Sequence, residues 1–187
     1  QKDDFGVFEV GMDKKGEIDT LTKIIKPDVG VITNISYAHA KNFKNLKQIA
    51  LAKSEIIKNI VSGGSIILNA DDQFYKFHQK IALEKKLKIY SFSISKKNAT
   101  VRLDSIKKEK TKFKATININ NQKKHFFISS NFENNLKNLL AAITVISIFK
   151  DIKTLNKNIF YNYQIPYGRG DFSKIKINKK NILLIDE

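Results

Sequence analysis

Residues 46–69 read LKQIALAKSEIIKNIVSGGSIILN. Ile49, Ala50, Lys53, Ile56, Ile57 and Ile60 recur at steps of three and four, which predicts an amphipathic helix over residues 46–61. Residues 65–68 form a short continuous apolar run, which predicts a strand buried on both faces. Lys53 is the anomaly, because it falls in the middle of the stripe that should face the core.

The same alternation extends outward on both sides. Runs rich in Val and Ile at residues 5–10, 29–35, 65–68 and 88–92 predict buried strands, and residues 17–25, 46–61 and 73–85 predict the helices between them. That order specifies an α/β fold, a mostly parallel sheet flanked by helices with right-handed crossovers. After residue 95 the pattern changes. Residues 100–106, 113–119 and 124–129 predict antiparallel strands, a small β insertion with a turn at NINNQKK. A helix apolar on most faces is predicted at 135–149, and residues 150–165 are polar and helical in part. IPYGRGD, residues 165–171, reads as a linker, followed by a hairpin at 174–177 and 181–185. Two domains are therefore expected, 1–165 and 166–187, with the boundary near Pro166. No internal repeat is visible.

The composition narrows the function classes. With 42% hydrophobic and 28% charged residues the chain reads as an ordinary globular protein. No apolar run approaches the roughly 20 residues that cross a bilayer, and QKDDFGVFEVG lacks the layout of a signal peptide. A cytoplasmic protein with no membrane partner is expected. The absence of cysteine excludes disulfides and thiolate metal sites. The net charge of +16 suggests nucleic acid, but of the 34 basic residues only Arg102 and Arg169 are arginine. Base readout leans on arginine forks, and the lysines are scattered, so no nucleic-acid partner is expected. The start at Gln1 and the stop after the apolar run ILLI suggest an internal piece of a longer protein.

In open parallel sheets, ligands bind outside the carboxyl ends of the strands. Glu9 and His39 fall near two such ends. Alone, Glu9 reads as a solvated strand-end carboxylate and His39 as a loop or packing histidine. Lys53 admits two explanations. It can snorkel, carrying its ammonium group to the surface. Alternatively, desolvation lowers its pKa, and the neutral amine adds carbon dioxide to give a carbamate, a hard oxygen ligand suited to magnesium.

EVGMDKKGEIDTL (residues 9–21), ITNISYAH (32–39), AKSEI (52–56) and LNADD (68–72) occur in this order. Together they resemble the central domain of the Mur ligase family, over nearly the whole chain. The EVGM-x3-GEI pattern is similar to the branch that adds D-alanyl-D-alanine to UDP-N-acetylmuramoyl-tripeptide in peptidoglycan synthesis. Another amide ligase of the superfamily, a different muramyl ligase or a folylpolyglutamate synthetase, is the near alternative, and a non-catalytic basic domain that binds nucleic acid is the remoter one. The resemblance implies an ATP-dependent amide ligation through an acyl phosphate, with ATP and magnesium bound to a P-loop-like central domain and a Rossmann-like third domain beginning near residue 166. A monomer is expected.

By that resemblance Glu9, His39 and Lys53, as its carbamate, are magnesium ligands at the catalytic centre. NFENNLKNLLAA places Asn135 and Asn138 near adenine, with Asn134 where the family usually has histidine. YGRG places Arg169 on the ATP phosphates, a fork-shaped donor. Asn69 is expected at the nucleotide end of the cleft, with Asp72 capping the helix that follows. Glu187 stands where the family has an aspartate near the ribose. The family's glycine-rich GTNGKT loop has no counterpart in these residues, so the chain alone is expected to be inactive. His78 and His125 match no motif and read as packing or surface residues.

Overall fold

The computed structural model describes residues 3–37, 42–163, 171–177 and 180–186. A six-stranded sheet forms its centre, with the strands side by side in chain order. β1 (Val29–Ile32), β2 (Ser65–Asn69), β3 (Lys88–Ser93) and β4 (Val101–Glu109) pair in parallel. β4 also pairs antiparallel with β5 (Lys112–Ile119), and β5 with β6 (Gln122–Ile128). The antiparallel strands thus continue the main sheet. β7 (Asp171–Ile177) and β8 (Lys180–Asp186) form the separate hairpin expected near the end of the chain. The boundary at Pro166 lies outside the described residues.

Helices cover both faces, and β2 shows why. Ile66 and Leu68 join the core under α1 (Glu17–Ile25), α2 (Leu46–Lys53), α3 (Glu55–Asn59) and α4 (Tyr75–Glu84). Ile67 points the other way, into the core under α5 (Glu133–Phe149). Side chains alternate across a strand, so the middle of a strand between two helical layers is apolar on both faces. Every residue of β2 is buried.

Several elements depart from the expected bounds. Residues 5–10 join no ladder, and Val7 is 96% exposed. The apolar run was expected to be a buried strand, yet β1 forms the edge of the sheet and a groove separates it from this segment. β1 ends at Ile32 rather than residue 35, because side chains take up the backbone groups that follow. The helix expected over 46–61 breaks at Ser54: its hydroxyl donates to the Leu51 carbonyl at 2.7 Å, and Ile57 N–H bonds to Ser54 O instead of reaching back four residues. α4 starts at Tyr75 because Asp72 holds the turn before it. In residues 150–163 the helical part is limited to a short 3₁₀ turn, Ile152–Thr154, followed by hydrogen-bonded turns over residues 157–162.

Candidate active site

The carboxyl ends of β1 and β2 are joined by side chains from three places in the chain. Asn69, 4% exposed at the end of β2, donates its amide to Thr33 O at 3.0 Å and accepts from Asp71 N–H at 2.9 Å. Lys53, the last residue of α2, donates from Nζ to Asn34 O at 2.9 Å. Asp72 accepts from Ile35 N–H at 2.8 Å with one oxygen and from Phe74 N–H at 2.8 Å with the other. Three successive loop residues are thereby held by three side chains, where the four-pair ladder between β1 and β2 stops. Asp72 was expected to cap α4, but the N-cap is Phe74 with no side-chain cap bond; Asp72 instead binds the turn before the helix and grips the neighbouring loop.

Lys53 is half-buried. Desolvation pushes its ammonium below the ordinary lysine range, and the Asp72 carboxylate partly opposes that shift. A lysine that simply snorkelled would place its amine in bulk water; this one ends on a backbone carbonyl.

The acid two residues further on is equally withdrawn. Glu55, 4% exposed, accepts from Gly16 N–H at 2.9 and 3.0 Å and from Asp19 N–H at 3.1 Å. These are free donors at the start of α1, where a carboxylate also meets the positive end of the helix dipole. Gly16 has φ of 96°, a left-handed conformation that favours glycine, and an added Cβ would meet nothing within 4 Å, so backbone conformation alone selects it. The GEI and KSE segments are thus one structural unit. Sequence reasoning passed over Glu55, although a carboxylate set between Lys53 and Ile56 on a buried helix was a visible signal.

Asp71, beside Asp72, serves a different loop. Burial raises its carboxyl pKa, but the Ser93 and Ser95 hydroxyls, at 2.6 and 2.5 Å, and the N–H groups of Ile94 and Ser95 outweigh this and hold it below the usual range. His78, 2% exposed, bonds through Nε2 to Ala50 O at 3.0 Å, and burial lowers its pKa. It is a packing residue, as expected. His125 is exposed and meets Thr116 Oγ1 at 3.0 Å.

A groove of about 1120 Å³ runs between residues 4–12 and the edge of the sheet. Glu9 and Lys53 both line it, together with Thr33, Asn34 and Ser36. The C-terminal turns of α5 close its far side through Val145 and Phe149, and the Phe5 ring meets that of Phe149 edge-on at 5.0 Å. Two of the three expected magnesium ligands therefore share one groove, whereas His39, Arg169 and Glu187 lie outside the described residues. Asn135 and Asn138 lie one turn apart at the start of α5 and do not line the groove. Asn135 donates to Ser130 Oγ at 3.2 Å, and Asn138 is exposed. Asn69 is committed to internal contacts. Among the described residues no three His, Asp or Glu side chains converge, and no helix is long and apolar enough to cross a membrane. A divalent hard cation fits the groove's donors only if Lys53 carries a carboxylate, since an amine is a poor magnesium ligand.

The Mur ligase middle domain profile matches residues 1–146. The UDP-N-acetylmuramoyl-tripeptide--D-alanyl-D-alanine ligase of Rickettsia prowazekii is 33% identical over 179 residues, which cover 92% of this chain and 38% of that protein. A crystal structure of MurF from Acinetobacter baumannii superposes with a TM-score of 0.77 at 26% identity, over 94% of this chain and 37% of that one. MurF ligase from Thermotoga maritima in complex with ADP shares the fold, with a TM-score of 0.75 at 22% identity, over 93% of this chain and 38% of that one. The chain thus spans about two fifths of the length of the relatives it matches. With a helix-flanked mixed sheet and the expected motifs at its strand ends, the chain belongs to the Mur ligase family of ATP-dependent ligases.

Proposed function

We propose that the chain is the central domain of an ATP-dependent ligase that joins D-alanyl-D-alanine to UDP-N-acetylmuramoyl-tripeptide. The reading is carried by Lys53, whose amine is drawn out of bulk water to the carboxyl end of β1, in the groove that Glu9 also lines. The relatives' names supply the substrates.

In the proposed reaction a carboxylate oxygen of the tripeptide attacks the γ-phosphorus of ATP, giving an acyl phosphate and ADP. The amine of D-alanyl-D-alanine then attacks the acyl carbon, phosphate leaves, and the amine loses a proton. Glu9, His39 and the Lys53 carbamate would hold magnesium, which neutralises charge on the phosphates when bound. Asn135 and Asn138 would face adenine, Arg169 the phosphates and Glu187 the ribose. Desolvation favours the carbamate because only a neutral amine adds to carbon dioxide. The Asn34 carbonyl suits both states, since a carbamate nitrogen retains one N–H to donate.

The test uses the full-length protein that carries this chain, with UDP-N-acetylmuramoyl-tripeptide and ATP. ADP release should depend on D-alanyl-D-alanine, with single amino acids giving less than about a hundredth of the rate, because a site built for the dipeptide leaves buried polar groups unpaired without it. ADP release driven equally well by a single amino acid would assign the chain to another ligase of the superfamily.

A further inference from the structure

The Lys53 and Asp72 contacts meet on one peptide unit. Lys53 Nζ donates to the carbonyl of Asn34 at 2.9 Å, and Asp72 accepts from the N–H of Ile35 at 2.8 Å. That carbonyl and that N–H belong to the same peptide bond. The described residues contain no cis peptide, so the two groups point in opposite directions from a rigid plane. Gripping one end of the plane aims the other. The negative carboxylate at the N–H end and the positive ammonium at the C=O end also polarise the peptide in the same sense, so each hydrogen bond strengthens the other. Asn69 adds a third restraint by holding Thr33 O, one peptide earlier.

We propose that Asp72 is a positioning residue for Lys53, fixing the place of Nζ in the groove through the Asn34–Ile35 peptide, with Asn69 steadying the same loop. The proposal rests on the reading of Lys53 as an active-site group, and it gives the second acid of LNADD a duty beyond its turn. Asp72 spans 37 residues of sequence to reach Ile35, whereas its bond to Phe74 spans two and suffices for a local turn.

Asp72→Ser separates the two contacts. A serine hydroxyl can still hold the Phe74 N–H in a turn but is too short to reach Ile35. Asp71→Asn serves as the control, because Asp71 binds the Ser93–Ser95 loop and makes no bond to residues 33–35. The full-length proteins are labelled in carbon-dioxide-free buffer with an acylating reagent, and Lys53 is scored against exposed Lys110 by peptide mass spectrometry. Asp72→Ser should raise the relative labelling of Lys53 about tenfold, the equivalent of one charge-assisted hydrogen bond. Asp71→Asn should leave that ratio unchanged. In the ligase assay Asp72→Ser should lower kcat and leave KM for ATP unchanged. Unchanged Lys53 labelling in Asp72→Ser, or an equal rise in Asp71→Asn, would overturn the proposal, the second outcome indicating general loosening. Labelling needs no turnover. If Lys53 reactivity follows Asp72 while Lys53→Ala keeps full ligase activity, the placing of Lys53 in the catalytic centre fails, whereas the hold of Asp72 on Lys53 stands.

Discussion

Desolvation lowers the pKa of Lys53 in the folded chain, against an ordinary value of 10.5, so between the two values the unfolded chain binds the extra proton. Stability contributed by this residue therefore rises with pH through that window and is reduced below it. Compared with Lys53→Met, which keeps the length and loses the charge, the parent should gain relative stability as pH rises from 7 toward 10.5, read as the difference in urea midpoints. A constant difference would mean that the ammonium pays no burial cost. The anomaly that gives Lys53 its chemistry was legible in sequence, because a charge on an apolar stripe stands out against helical periodicity. Its bond to the Asn34 carbonyl was not. That contact joins residues 19 apart, and the hydrogen bond from Ile35 to Asp72 joins residues 37 apart, distances over which periodicity carries no information.

At the level of elements, the break at Ser54 lets neighbouring residues serve different parts of the fold. Lys53 ends α2 and reaches the loop after β1, whereas Glu55 begins α3 and caps α1. Glu55→Ala would leave the Gly16 and Asp19 N–H groups without their acceptor in a part-buried place, which should lower stability by about 1–3 kcal/mol in urea denaturation. A loss below about 0.5 kcal/mol would fit a surface substitution and show that water replaces the carboxylate freely. Strands β2 and β3 were readable from their apolar runs because helices cover both faces of the sheet. Residues 5–10 carry the same signal but form no strand, since an apolar run records a tendency to be buried, whereas a ladder requires backbone contact, and a groove separates this segment from the edge at β1. The ends of α2 and α4 were misjudged by one to several residues for a related reason: Ser54 and Asp72 redirect backbone bonds locally.

Across the whole molecule, helices α1–α4 pack on one face of the sheet and α5 on the other, and the groove opens where the C-terminal end of α5 meets residues 4–12 beside β1. Glu9 and Lys53 both line that groove although 44 positions separate them in the sequence. The motifs made the family legible because each marks a strand end or a helix start that the fold needs. The adenine contacts expected of Asn135 and Asn138 are not visible in the fold, since both residues sit at the opposite end of α5 from the groove. The most direct measurement is ADP release by the full-length protein with ATP, UDP-N-acetylmuramoyl-tripeptide and D-alanyl-D-alanine, comparing the parent with Lys53→Ala, with and without an added short carboxylic acid. Loss of a charged group that stabilises the transferring phosphoryl should lower kcat by at least about a hundredfold, and the added carboxylate should restore part of it. Full activity of Lys53→Ala without added carboxylate would contradict the assignment of Lys53 to the catalytic centre.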